Sequence, residues 1–330
     1  MKYSIIIPVY NRPDEVGELL KSLAGQLSKD FEVLVIEDGS SLPCKEVVSS
    51  TYADGWDLHY YAKGNSGPGA SRNYGAARAR GEYLLFLDSD CVLPPGYIDA
   101  VDRALGKNAA DAFGGPDRAD KGFTPVQKAI NYAMTSFFTT GGIRGGKKKL
   151  DKFYPRSFNF GVRRSVFEHV GGFSDMRFGE DIDLSIRLFA NGYKCCLFPD
   201  AWVWHKRRTD FKKFFKQVHN SGIARINLWK RHPGSLKIVH LLPATFTCGE
   251  FVFISGMMVC RWAILPLVAY ALMILADASL KEKSLKTGCL AVAASFVQLT
   301  GYGTGFLRAW WRRCICKEDE FEAFKNNFYK

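Results

Sequence analysis

Phe31-Glu-Val-Leu-Val-Ile-Glu-Asp-Gly-Ser40 and Tyr83-Leu-Leu-Phe-Leu-Asp-Ser-Asp90 decide how this chain folds. Each is an apolar run too short for a typical helix, and each stops on carboxylates. Continuous apolar runs of this length read as strands buried on both faces. Tyr3-Ser-Ile-Ile-Ile-Pro-Val9 is another, stopped by Pro8 and Asn11. Helical spacing follows it through Val16, Leu19, Leu20, Leu23 and Leu27, and a helix ending near Arg80 leads into Tyr83. Strand and helix in alternation predict right-handed crossovers and a mostly parallel sheet, an α/β fold.

Ligands of such sheets bind beyond the carboxyl ends of the strands, and that is where the acids collect. Asp38 and Gly39 follow one strand, Asp88 and Asp90 another. Gly179-Glu-Asp-Ile-Asp183 opens an amphipathic helix, and Ala201-Trp-Val-Trp-His205 ends on a potential metal ligand. Side chains two apart on a strand share a face, so Asp88 and Asp90 are expected to point at one cation or one sugar. Hard carboxylate oxygens suit Mg2+ or Mn2+, with a diphosphate supplying further oxygens. The pattern builds one anionic, metal-ready cleft.

The 330 residues leave room for one large domain and an appendage. The formal net charge of +12 gathers in Lys147-Lys-Lys149, Arg163-Arg164, Lys206-Arg-Arg208, Lys212-Lys213 and Arg312-Arg313. Nucleic acid and an anionic membrane surface are the partners such a balance suggests. The nine cysteines lack the spacing of a zinc site, which predicts reduced thiols in a cytosolic compartment. Met1-Lys-Tyr-Ser-Ile-Ile-Ile-Pro8 is too short an apolar run for a signal peptide, so the chain is expected to start in the cytosol. Residues 114–156 are polar, basic and glycine-rich, and read as an excursion without a core of its own.

From Lys206 the texture changes. Phe211, Phe214, Phe215, Val218, Ile223 and Ile226 alternate with lysines and arginines, as on a helix lying in a membrane interface. Residues 251–276 are apolar apart from Arg261, and residues 287–307 carry no charge. Both are close to the roughly 20 residues that cross a bilayer core. Trp310-Trp311 and Arg312-Arg313 read as an aromatic belt and a positive-inside anchor. The organisation predicted is a catalytic domain over residues 1–206, a basic interfacial segment over 207–245, a transmembrane hairpin within 246–309 (spans at 251–276 and 287–307) and a cytosolic tail over 310–330. The catalytic domain and the C-terminus would both face the cytosol at the cytoplasmic membrane.

Taken in order, these motifs resemble family 2 glycosyltransferases of the GT-A fold, the fold of nucleotide-diphospho-sugar transferases. Ser4-Ile-Ile-Ile-Pro-Val-Tyr-Asn11, Glu37-Asp-Gly-Ser40, Gly67-Pro-Gly-Ala-Ser-Arg-Asn-Tyr-Gly75, Phe86-Leu-Asp-Ser-Asp90, Gly171-Gly-Phe173 and Gly179-Glu-Asp-Ile-Asp-Leu184 carry the likeness over about residues 2–206. The resemblance implies that Pro8, Tyr10 and Asp38 hold the nucleoside, with Asp38 accepting a hydrogen bond from the base and Arg12 and Gly39 completing the donor set. Arg72 would lie near the nucleotide or the donor sugar, and Asp88 would contact the ribose or that sugar. Asp90 would ligate a divalent cation, Mg2+ or Mn2+, with His205 completing the metal site or contacting the diphosphate. Asp181, beside Glu180, would be the general base of an inverting displacement. The Gln-x-x-Arg-Trp motif of processive synthases is missing, since Arg261-Trp262 lacks the glutamine. This implies one sugar per encounter.

Two acceptors fit: a hydroxyl of a lipid-linked glycan in cell-surface polysaccharide synthesis, or a polyprenyl phosphate. A dinucleotide-dependent oxidoreductase would need Gly-x-Gly-x-x-Gly after the first strand, where Tyr10-Asn-Arg-Pro13 stands. A non-catalytic sugar-nucleotide-binding membrane protein would have no use for both Asp90 and Asp181. A nucleic-acid polymer is disfavoured because the basic, aromatic stretch runs directly into apolar segments.

Overall fold

The computed structural model describes residues 1–51, 56–118, 123–141, 153–206 and 209–320. Two compact units result, one from residues 1–120 and 151–206, the other from 121–150 and 207–322. The first unit starts with β1 (Tyr3–Val9), α1 (Pro13–Ala24), β2 (Phe31–Asp38), α2 (Lys45–Thr51), β3 (Asp57–Lys63), α3 (Pro68–Ala76) and β4 (Tyr83–Leu87). Then come β5 (Cys91–Val92), α4 (Tyr97–Lys107), β6 (Ala112–Gly114) and β7 (Asp117–Arg118). The chain enters the second unit for α5 (Pro125–Thr135) and α6 (Phe137–Thr140). It returns for β8 (Asn159–Arg163), α7 (Arg164–His169), α8 (Glu180–Ala190), β9 (Cys195–Leu197) and β10 (Val203–His205). The second unit is completed by α9 (Phe211–Arg231), α10 (Leu242–Gly256), α11 (Leu265–Glu282) and α12 (Leu285–Trp310).

The main sheet runs β3-β2-β1-β4-β8-β6-β9. It is mostly parallel, as expected, with β8 antiparallel to both its neighbours. Every residue of β1 and β2 is buried. Alternate residues feed two layers: Ile5, Ile7, Val33 and Val35 meet Leu19 and Leu23 of α1, while Ile6, Leu34 and Ile36 meet Phe160 and Phe173. Strand β8 escaped the sequence reading, because Asn159-Phe-Gly-Val-Arg163 lacks a clean apolar run. Its glycine is required by packing: a Cβ at Gly161 would stand 2.1 Å from the Phe113 ring.

Three expectations change in the second unit. Residues 123–141 have a core after all. Helix α5, opened by a Thr124/Gln127 capping box, buries Ala129, Ile130 and Ala133 with Phe214, Ile274 and Ala291. The basic run at 147–149, the pair at 207–208 and the tail from 321 lie outside the described residues. The span expected at 251–276 is broken: α10 stops at Gly256, a 3-10 turn covers Arg261–Ile264, and α11 starts at Leu265 with Pro266 in its first turn. Proline has no N–H to donate and clashes with the carbonyl four residues back, so it opens a helix rather than continuing one. Arg261–Glu282 and Leu285–Ile315 are long and apolar enough to cross a membrane.

The third concerns α9: of the residues expected at a lipid interface, Phe214, Val218, Ile223 and Ile226 are buried against protein, while Phe215 stays exposed. Glycines let α9 and α12 touch backbone to backbone: a Cβ at Gly222 would lie 2.2 Å from the Tyr302 carbonyl oxygen, and one at Gly305 2.0 Å from that of His219.

Candidate active site

Beyond β4 the chain turns at once, with the Cys91 N–H donating to the Asp88 carbonyl at 3.0 Å. The strand geometry that would aim Asp88 and Asp90 the same way ends at Leu87, and the two carboxylates part. Asp88 accepts from Arg72 Nη2 at 2.7 Å. Asp90 pairs instead with Arg12 and His205. Arg12, expected among the donor-binding residues, is thus engaged by the predicted metal ligand.

His205 reaches Asp90 through backbone pairing. Strand β10 lies antiparallel to β5 with His205 opposite Cys91, and the Lys206 N–H donates to the Asp90 carbonyl at 3.2 Å. The imidazole stacks on Phe158 with 4.9 Å between centroids. Its Nε2 lies 3.2 Å from Asp90 Oδ1, and its Nδ1 is 4.0 Å from Asp117 Oδ2. Burial pushes the Asp90 carboxyl up, but His205 and then Arg12 outweigh it and hold the group well below the usual carboxylate range.

The donor set suits a divalent cation. Ligand atoms of Asp90, Cys91 and His205 lie within 4.8 Å of one another. Asp90 Oδ1 is buried with His205 Nε2 3.2 Å away, which brings a carboxylate oxygen and an imidazole nitrogen to one point. The buried Cys91 thiol is pushed well above its ordinary value by burial and is a poor ligand. Asp90 and His205 therefore form the candidate pair, an oxygen and an imidazole nitrogen that suit Mn2+ or Mg2+. A second group, Glu32, Asp57 and His59, is already tied together by Arg80, whose Nε donates to Glu32 Oε2 at 2.9 Å.

Arg72 organises the other half of the site. Placed on α3 and almost fully buried, it reaches Asp88 on one side and Glu180 Oε1 on the other at 2.9 Å, with its guanidinium over the Phe173 ring. Helix α8 begins at Glu180 after Gly179, whose φ of 85° turns the chain into it. Burial first, then the neighbouring Asp181, raise the Glu180 carboxyl toward about 7; Arg72 opposes this, but its charge is shared with Asp88. Asp181 stands at the helix N-terminus, its Oδ1 accepting from the Ile182 N–H at 2.8 Å and its Oδ2 lying 3.5 Å from Arg156. Arg156 was not predicted, because it lies in a basic stretch that offers no motif.

Asp38 is expected to accept a hydrogen bond from the base, and the structure shows what it meets within the protein. Both of its carboxylate oxygens are engaged within the protein: Oδ1 by Lys63 and the Ser66 N–H, Oδ2 by the Gly67 N–H at 2.8 Å. It thereby holds the glycine-rich turn that opens α3. Gly39 has a φ of 71°, and a Cβ there would meet the Asn65 N–H at 2.7 Å, so the turn tolerates little else. Pro8 is buried within β1, and Tyr10 sits half-buried just beyond it. Lys63 was also missed, since it closes a strand of mixed polarity.

The architecture is that of GT-A enzymes. A mannosyltransferase of Pyrobaculum calidifontis, solved with GDP-Man and Mn2+, superposes with a TM-score of 0.62 at 17% identity, covering 89% of this chain and 86% of that one. The glycosyl transferase family 2 model matches residues 4–171, half of the chain, and the protein belongs to that family. A Rickettsia felis protein, named as an uncharacterized glycosyltransferase, is 45% identical over 104 residues. That match covers 32% of this chain but only 17% of the relative. The Campylobacter jejuni GalNAc(5)-diNAcBac-PP-undecaprenol beta-1,3-glucosyltransferase is 33% identical over 115 residues, 34% of this chain and 37% of that protein.

Proposed function

We propose that this protein is a membrane-attached, inverting glycosyltransferase that moves one sugar from a nucleotide-sugar donor to a hydroxyl of a lipid-linked glycan. The observation that carries the reading is Arg72, a buried cation bridging Asp88 of the donor side to Glu180 of the acceptor side. It ties the two halves of a displacement site into one rigid unit.

Asp181 takes the proton of the acceptor hydroxyl as that oxygen attacks the anomeric carbon from the face opposite the leaving group. The N-terminal end of α8 favours its ionised form. Arg156 orients the carboxylate, and Arg72 keeps Asp88 and Glu180 in register. Asp38 and Lys63 fix the glycine turn against which the nucleotide is bound. Asp90 and His205 would hold a divalent cation, which neutralises the charge of a departing diphosphate as a Lewis acid.

The lipid-linked acceptor is supported by the activity for which the Campylobacter relative is named and by the apolar C-terminal helices, which favour attachment to the cytoplasmic membrane with the catalytic unit in the cytosol. The test is purified full-length chain in detergent, offered a panel of nucleotide sugars with Mg2+ or Mn2+ and a polyprenyl-diphosphate-linked acceptor. Turnover of at least one donor, lost with chelator, is expected. Absence of any donor turnover or binding across the panel refutes the reading.

A further inference from the structure

We propose that the second unit docks into a single leaflet through the outer face of α10 and α11, and that the α11–α12 hairpin does not cross the bilayer. The proposal rests on the membrane attachment inferred above and names its geometry.

Helix α12, apolar enough to span, is covered by protein on several sides. Gly301 and Gly305 receive α9, and Gly288 lies under Ser279 of α11. Thr300 donates to Glu250 of α10 at 2.7 Å. Ala291 and Ala294 share a core with α5. These contacts take up the faces that point to α5, α9, α10 and α11.

Helix α5 then restricts the hairpin's path. Tyr132 donates to Asp277 at 2.5 Å, and the Phe138 carbonyl accepts from Tyr270 at 3.2 Å. Residues 132 to 138 therefore run from the turn end of α11 back toward its middle, so the start of α5 points toward the α11–α12 turn. Strand β7 ends at Arg118, seven residues before Pro125. Seven residues reach at most about 25 Å, short of the roughly 30 Å of hydrocarbon in a bilayer. The chain cannot leave the catalytic unit, cross, and begin α5 on the far side. The turn at Lys283 must stay on the catalytic side.

The remaining outer surface is apolar and flanked by positive charge. Met258 is 91% exposed, Val259 94% and Trp262 60%. Phe251, Leu265 and Leu272 extend the face along both helices. Between residues 238 and 276 the only charged side chains are Glu250, bonded to Thr300, and Arg261, whose guanidinium sits 5.2 Å from the Trp262 ring centroid. Lys237 stands just before the stretch. An apolar face edged by cations and an interfacial tryptophan complements an anionic leaflet. Helix α10, with 15 residues, rises about 22 Å and is too short to span.

The test uses the full chain expressed in bacteria, with the exposed native cysteines replaced by serine and one reporter at a time: Lys45→Cys on the catalytic unit or Lys286→Cys at the hairpin turn. A membrane-impermeant maleimide is applied to right-side-out and inverted vesicles. Both reporters should label in inverted vesicles only. Labelling of Lys286→Cys from the opposite side overturns the single-leaflet mode while leaving attachment intact. Recovery of the chain in the soluble fraction overturns attachment itself. As a second arm, Val259→Asp with Trp262→Glu, both exposed, should cut the fraction pelleting with anionic vesicles at least tenfold. Unchanged pelleting, or lipid-free self-association through this face, overturns the docking surface.

Discussion

The two units treat charge in opposite ways. In the sheet unit, carboxylates and cations are paired in buried or half-buried positions: Arg72 with Asp88 and Glu180, Arg12 with Asp90, Lys63 with Asp38. In the helical unit, polar groups within the apolar stretch are paired inward, as Glu250 is with Thr300, and large apolar side chains face outward. A buried ion pair is seldom a net stabiliser, and a large exposed apolar face is costly in water. Each unit therefore holds an arrangement that folding alone does not favour. In the first, the arrangement concentrates charge where a sugar diphosphate would react. In the second, on the attachment proposed above, it would present a surface to lipid.

The contrast is broken most directly at the base. Asp181→Asn should bind nucleotide normally and lose transfer by about 10²- to 10⁴-fold, the usual worth of a positioned general base. Full transfer by this variant, measured with donor in excess, would remove Asp181 from the mechanism. Arg72→Met comes next. It strands Asp88 and Glu180 without their cation, and breaking a buried pair this way costs about 3–5 kcal/mol. Denaturant unfolding checks it, and a loss under 1 kcal/mol would mean that the bridge is not what holds the two sides.

Glu180 gives a smaller, pH-dependent signature. Its carboxyl is raised from 4.5 toward about 7, so the folded state favours the protonated form. That contribution is fully present below the ordinary glutamate value and is lost as pH rises toward 7. The melting temperature of the wild-type chain should therefore fall relative to Glu180→Gln between about pH 5 and 7. Parallel profiles for the two proteins would contradict the assignment.

The smallest effect is expected on α9. Lys212, Lys213 and Lys216 are exposed on a helix whose apolar face is already covered. Replacing all three with glutamate should shift vesicle binding far less than Val259→Asp with Trp262→Glu does, and stability by no more than about 0.5 kcal/mol per site. A large loss of vesicle binding would return the interface to α9, where the sequence pattern put it.

The sequence alone determined the parallel strands β1, β2 and β4 and the positions of the acids that follow them. A short apolar run ended by a carboxylate has few places to go, and backbone pairing brings strand ends to one edge. Asp90 and His205 could be located for that reason, Glu180 and Asp181 by the start of an amphipathic helix, and their expected roles came from the resemblance to family 2 glycosyltransferases. Only the tertiary structure decided what each acid meets. The turn after Leu87 separated Asp88 from Asp90, and Asp38 turned inward onto the Gly67 loop. Arg156, Lys63 and β8 carried no local signal, because their partners are far away in sequence. The helices show the same limit more strongly. Periodicity states that a helix face must be covered, and nothing in it distinguishes another helix from a lipid. For α9 the cover is α12, chosen by glycines 80 residues or so further along the chain that admit its backbone.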